Sequence, residues 1–226
     1  MITHFSILLL VASFGFSISL LVETSAWVLR SMSTKSNHGF FNARANVYLY
    51  GGRFFALLFM MILSLIVDRE PNFHHVLIFI SISVSLAAII QLLYWNSSTF
   101  FKCVNRIIIF LLLKKMPYVI PLKTHNKVDH TLFLNSSIAT SILVFGVTSP
   151  YILACIMPEI RMTIATFGQV INAGGTVILL FKVEPLLYRR MDKNDLHVHV
   201  FSYMKGRCFG LMLAASIFWL LFFTVK

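Results

Sequence analysis

The sequence predicts an all-α, polytopic bundle of six membrane-crossing helices, with a further basic helix lying along one membrane face. Composition is the first observation behind this. Apolar residues make up 58% of the 226 residues and charged residues only 12%, against roughly 25% charged in soluble domains. Mean hydropathy is +0.83, and Phe (22) and Met (10) are abundant. The second is that the apolar residues gather into runs of span length. The third is that Lys and Arg gather in alternate connections between those runs. A surface so poor in charge cannot face water on all sides, which excludes a single water-soluble enzyme domain. A disordered chain is excluded too, because ample apolar surface is present to bury.

A span needs about 20 mostly apolar residues to cross a hydrocarbon core of about 30 Å. Six stretches qualify, approximately Phe5–Leu29, Ala45–Val67, Phe73–Trp95, Thr131–Met157, Met162–Val183 and Lys205–Val225. The first is expected to be a retained span rather than a signal peptide. No Lys or Arg precedes it, its run is too long for a signal-peptide core, and five more spans follow. No connection is long enough for a soluble domain, so residues 1–226 are expected to form a single integral membrane domain.

A seventh apolar run, Ile107–Leu113, is too short to cross. Lys102 and Arg106 precede it, Lys114 and Lys115 follow it, and Phe100, Val104, Ile107, Ile108 and Leu111 recur at helical spacing. That pattern predicts a helix over about 99–120 in the headgroup plane, with a re-entrant or irregular loop as the alternative.

Orientation follows from the excess of Lys and Arg in cytoplasmic connections. Connections one, three and five hold fifteen of the nineteen basic residues. Among these are Arg30 in the first, Lys102 and Arg106 in the third, and Arg189, Lys205 and Arg207 in the fifth. Arg69, Arg161 and Lys226 fall on the other side, and Arg53 lies within a span. Both termini are therefore expected outside. The net charge of +11 reads as orientation charge beside anionic lipid rather than as a nucleic-acid surface.

Cys103, Cys155 and Cys208 are odd in number and widely spaced, so neither a disulfide framework nor a zinc site is expected. His74-His75 and His197-x-His199 lack matched ligand partners, and no metal or cofactor is expected. The sequence has no H-E-x-x-H, no G-x-S-x-G and no phosphate-cradling G-x-x-x-x-G-K. None of its eight acidic residues pairs within a span for acid/base chemistry. An enzyme is not expected.

Polar residues inside the spans are the candidate site. A charge at membrane depth is costly, on the order of 3 kcal/mol for Arg on insertion scales. Arg53 lies about eight residues, roughly 12 Å, into the second span. Asn46 sits seven residues earlier, on nearly the same face, and Gly51-Gly52 remove bulk beside the Arg. Its planar guanidinium suits phosphate oxygens; the alternative is a structural ion pair with Glu23 of the first span. Glu23 and Arg30 share a face with Trp27 between them. In the fifth span Gln169, Asn172 and Thr176 lie within about 60° of one another, flanked by Gly168 and Gly175, and Asn172 falls near the midplane. Amides and glycines also serve ordinary helix packing. The Gly174-Gly175 pair is a candidate place for the helix to loosen. Ser137, Ser141 and Thr148 form a stripe in the fourth span, where hydroxyls commonly bond their own helix; Ser81, Ser83, Ser85 and Gln91 in the third span are discounted likewise.

At the fifth span the chain resembles the Amj family of lipid II flippases, the alternates to MurJ in bacterial cell-wall synthesis. The residues carrying the likeness are Pro158-Glu159-Ile160-Arg161-Met162-Thr163, then Ile171-Asn172, Thr176, Glu184-Pro185 and Asp192. The family pattern is P-E-Y-R-x-T, then I-N-G, A-T and D-P at matching spacing. Ile160, Ala173, Gly175 and Glu184 depart from it. A second likeness joins Ala45-Asn46 to Gly52-Arg53, where the family has F-N and S-R. The resemblance implies a non-enzymatic, multi-pass protein of the bacterial cytoplasmic (inner) membrane, serving peptidoglycan synthesis and cell shape. Its partners would be lipid II and membrane lipids.

The residues expected to contact substrate rest on position and chemistry: Arg53, Asn46, Gln169, Asn172, Thr176, Arg161 and Glu23. A polyprenyl tail is at home in the bilayer and its headgroup is not, so a flippase must supply a polar route. Other functions stay open on the residues alone. They are a flippase for another polyprenyl-diphosphate oligosaccharide, a membrane enzyme acting on lipid intermediates, or a scaffold whose polar groups only pack helices.

Overall fold

The computed structural model of the chain describes residues 2–34, 36–69, 71–112 and 128–225. Among them the structure is all-α. Its helices are α1 (Ile2–Ser31), α2 (His38–Arg69), α3 (Phe73–Asn96), α4 (Ser98–Leu112), α5 (His130–Ile156), α6 (Arg161–Ile178), α7 (Glu184–Asp192) and α8 (Leu196–Thr224). A short 3₁₀ turn leads into α6, and a π turn joins α6 to α7. Six stretches are long and apolar enough to cross a membrane, the fifth running without a break over Pro158–Asp192. This is the architecture of a multi-pass membrane protein. Part of the expected helix over 99–120 is present as α4; residues 113–120 lie outside the described residues.

Several helices outrun their apolar stretches. α2 begins seven residues before Ala45, α8 begins at Leu196 rather than Lys205, and the fifth helical run continues to Asp192. Hydropathy marks where lipid begins; hydrogen bonding and packing decide where a helix ends. The extensions are held by a core of their own, in which Trp27, Phe41, Tyr94, Phe101, Leu187 and Val200 are buried together. A second core, around Phe16, Phe59, Phe79, Ile80, Leu211 and Phe218, occupies the other half of the bundle.

On α4 the positions that pack on the bundle are largely distinct from the apolar stripe expected to meet lipid. Phe101, Asn105 and Ile108 are buried, whereas Ile107 and Leu111 are exposed. Tyr94 Oη donates to Asn105 Oδ1 at 2.9 Å, which turns the helix so that its polar Asn faces the bundle. An unpaired amide there would cost more than the exposure of one Ile.

Packing depends on small residues. α5 lies against α6 and α8, α1 against α2, and α3 against α8 and α1. A Cβ on Gly146 would stand 2.5 Å from the Asn172 backbone nitrogen, and one on Gly168 would strike Pro150. One on Gly206 would strike Ser136 of α5. These positions bring backbones close, where dispersion and polar contacts replace the hydrophobic drive that lipid removes. Of the hydroxyl stripe on α5, Thr148 bonds its own helix and Ser141 bonds both its own helix and α8. Thr148 Oγ1 donates to Val144 O at 2.7 Å within α5, and Ser141 Oγ also reaches Gly210 O of α8 at 3.0 Å.

The fifth helical run stays α-helical through Gly174-Gly175. Its irregularity is the π turn Leu179–Val183, where Glu184 N donates to Leu179 O, five residues back. Pro185 is the physical reason. It has no N–H for the carbonyl four residues earlier and its ring crowds that carbonyl, so the preceding turn widens. Replacing Gly146 by Ala is expected to destabilise the protein by about 1–3 kcal/mol, because the obstructing atoms are backbone. Thermal unfolding in detergent should show a clearly lowered Tm, whereas Gly174→Ala, with nothing nearby, should not lower it.

Candidate functional site

α2 and α6 flank α5 and are clasped at one end. There Arg161 Nη1 of α6 meets Asp68 Oδ1 of α2 at 3.5 Å, and Tyr151 Oη donates to Met60 O at 3.3 Å. Behind the clasp is a cavity of about 430 Å³ between α2, α5 and α6, within the usual range for ligand sites. Its polar lining is Ser64, Asp68, Tyr151, Arg161, Gln169 and Asn172. Among the described residues neither the Gln169 nor the Asn172 amide has a hydrogen-bond partner. Thr176 continues the same face one turn further, its hydroxyl bonded back to Asn172 O at 2.9 Å. The polar stripe on the fifth span therefore faces a cavity. Gly146 and Gly168 do the close packing beside it.

Arg53 stands on the matching face of α2. It precedes Met60, which lines the cavity, by seven residues, and seven residues return a helix to nearly the same face. It sits at the middle of a 32-residue helix. Arg53 and Thr176 each lie fifteen residues, about 22 Å along a helix, from their own member of the Asp68–Arg161 clasp. Arg53 is exposed. Its guanidinium lies 5.1 Å from the centre of the Tyr50 ring, and it has no hydrogen-bond or ion-pair partner among the described residues.

The alternative pairing of Arg53 with Glu23 is not adopted. Glu23 Oε2 accepts instead from Arg207 Nη2 of α8 at 2.6 Å. Arg207 is 1% exposed and its Nη1 also donates to Tyr203 Oη at 3.0 Å. Charge counting assigns Arg207 to a connection because it sits, with Lys205, at the edge of an apolar run. The helix begins nine residues earlier than Lys205, so the residue is carried into the bundle. Asn46 is likewise engaged, its Oδ1 accepting from Arg30 Nη2 at 2.7 Å. Arg30, 3% exposed, lies 4.2 Å over the Trp27 ring and within electrostatic reach of Glu184.

The residues expected to contact substrate are Arg53, Asn46, Gln169, Asn172, Thr176, Arg161 and Glu23. The structure brings Arg161, Gln169 and Asn172 around one cavity, with Thr176 continuing their face and Arg53 on the facing helix. It sets Glu23 and Asn46 in a separate cluster with Arg30, Arg207, Trp27 and Tyr203. Asp68, Tyr151 and Arg207 were missed. Asp68 and Arg207 lie near the ends of apolar runs and look like solvated charges. Arg207 carried one available signal: it falls four residues after Tyr203, on one helical face. Neither a family model, nor a curated protein, nor a solved structure matches this chain.

The two members of the buried pair differ in exposure, with side chains 2% exposed for Arg207 and 38% for Glu23. Removing Glu23 strands a charge with no route to water, whereas removing Arg207 leaves a carboxylate that reaches out. Glu23→Ala is therefore expected to cost about 3–5 kcal/mol and Arg207→Leu clearly less. Denaturation of the two variants in the same detergent checks the order.

Proposed function

We propose that this protein is a flippase that carries lipid II from the cytoplasmic to the outer leaflet. The diphosphate is held by Arg53, and sugar and amide groups by Gln169, Asn172 and Thr176. The observation that carries this function is Arg53. A guanidinium at the middle of a long apolar helix, paired with no carboxylate among the described residues, is costly unless it has a ligand. An anionic lipid headgroup is the ligand a membrane offers at that depth, and the planar donor fork fits its oxygens.

The remaining groups suit the next steps. α2 and α6 are not among the closely packed pairs, so a headgroup between them can keep its tail in lipid. The unpaired amides offer neutral donors and acceptors, which hold sugars without trapping charge. At the far end the Asp68–Arg161 pair is long and partly exposed, 67% for the Asp68 side chain. Such pairs contribute about 0–1 kcal/mol, little enough for the passage of a headgroup to part them. With basic connections on the cytoplasmic side, the clasp falls on the outer side, where cargo would leave.

The resemblance to the Amj family at Pro158–Thr163 and Asn172 supports lipid II as the cargo, and the bacterial inner membrane as the location. The residues themselves fit any polyprenyl-diphosphate oligosaccharide. Vesicles containing only the purified protein and fluorescent lipid II separate the two. Lipid II movement is expected. Movement of another diphosphate-linked oligosaccharide but not of lipid II would change the cargo. In the same vesicles Arg53→Ala and Asn172→Leu are each expected to reduce flipping at least tenfold with protein levels unchanged. Normal transport by both variants would remove the assigned route.

A further inference from the structure

The register of α1 against α2 sets Glu23 at the level of Arg53. Arg30 and Asn46, joined at 2.7 Å, fix that register, and a Cβ on Gly52 would stand 2.5 Å from Val22, which confirms it. α1 and α2 run antiparallel. Seven residues back from Arg30 is Glu23; seven residues on from Asn46 is Arg53. Two full helical turns therefore carry the Arg30–Asn46 relation to Glu23 and Arg53, on the same side of the helix pair. Oppositely charged side chains share one level there, yet the carboxylate is turned to Arg207 of α8 and the guanidinium lies over Tyr50.

We infer that Arg207 is a positioning residue that holds Glu23 away from Arg53 and so keeps Arg53 free for the diphosphate of an anionic lipid. This rests on the proposed role of Arg53 as the phosphate contact. The competition is between two guanidinium groups for one carboxylate. Arg207 wins because it is fully buried, is also bonded to Tyr203 Oη, and has no other carboxylate paired with it among the described residues. An unpaired charge in that dry site costs far more than an unpaired Arg53, which is exposed. Without Arg207, Glu23 turns to Arg53, neutralises it, and competes with phosphate. Glu184, within electrostatic reach of Arg30, is the other acid of the cluster.

The test measures binding of undecaprenyl diphosphate to purified protein in nanodiscs, beside undecaprenol as the uncharged control. Arg53→Ala tests the underlying role: if it binds undecaprenyl diphosphate as tightly as the unsubstituted protein, Arg53 is not the phosphate contact. Given that role, Arg207→Gln is expected to weaken binding at least tenfold. The double variant Glu23→Gln with Arg207→Gln is expected to recover most of it, because the competing carboxylate is gone. A merely structural Arg207 predicts no recovery. Unaltered binding by Arg207→Gln, or failure of the double variant to recover, overturns the inference. Glu23→Gln alone, which keeps an acceptor for Arg207, decides the matter if Arg207→Gln does not fold. It is expected to bind two- to tenfold more tightly, and unchanged or weaker binding overturns the inference.

Discussion

Burying the Arg207 guanidinium in the middle of α8 demands a carboxylate, since a charge withdrawn from water is tolerable only when paired and hydrogen-bonded. Among the described residues α1 alone supplies one at bonding distance, through Glu23 at 2.6 Å. That requirement ties α1 to α8. The close approach at Gly52 then ties α2 to α1, and the Arg30–Asn46 bond fixes their register. Arg53 is left at mid-helix on the face of α2 that runs toward the cavity. A single buried pair thus decides which arginine is structural and which is free.

The other wall of the groove is built by a different means. Gly146, Gly168 and Pro150 let α5 and α6 approach until backbone meets backbone. A helix so closely seated needs little side-chain contact, so most of α6 is exposed. Its polar stripe is consequently spared from packing. Gly175, packed against Leu143, extends the seam toward the π turn, where Pro185 redirects the chain into α7. Small residues supply adhesion on one face while amides and a hydroxyl stay available on the next.

Much of this was legible in the sequence, and the gaps have physical causes. The six spans follow from apolar runs because lipid enforces helices with every backbone group paired. The stripe of Gln169, Asn172 and Thr176 follows from periodicity. Which glycine packs and which lies open does not, as Gly175 and Gly174 show. The partner of Glu23 was also beyond reach. Sequence offers Arg30 and Arg53 as near candidates, whereas the residue that binds it comes from the last helix, where it resembles an orientation charge. Tertiary pairing of charges 184 positions apart leaves no local trace. The extra turns of α2 and α8 were missed for a related reason: hydropathy responds to lipid, and those turns are held by aromatic packing around Trp27.

Passage of a headgroup between α2 and α6 requires the polar face of α6 to be wet at membrane depth. The direct measurement replaces the three native cysteines by Ser and introduces single cysteines along α6. Their reaction with a water-soluble, membrane-impermeant thiol reagent is then followed in vesicles. Cysteines at 169, 172 and 176 should react, and those at 167, 170 and 177 should resist, because thiolate forms only where water reaches. Equal resistance at all six positions would mean that the stripe is dry, and that no aqueous route passes between α2 and α6.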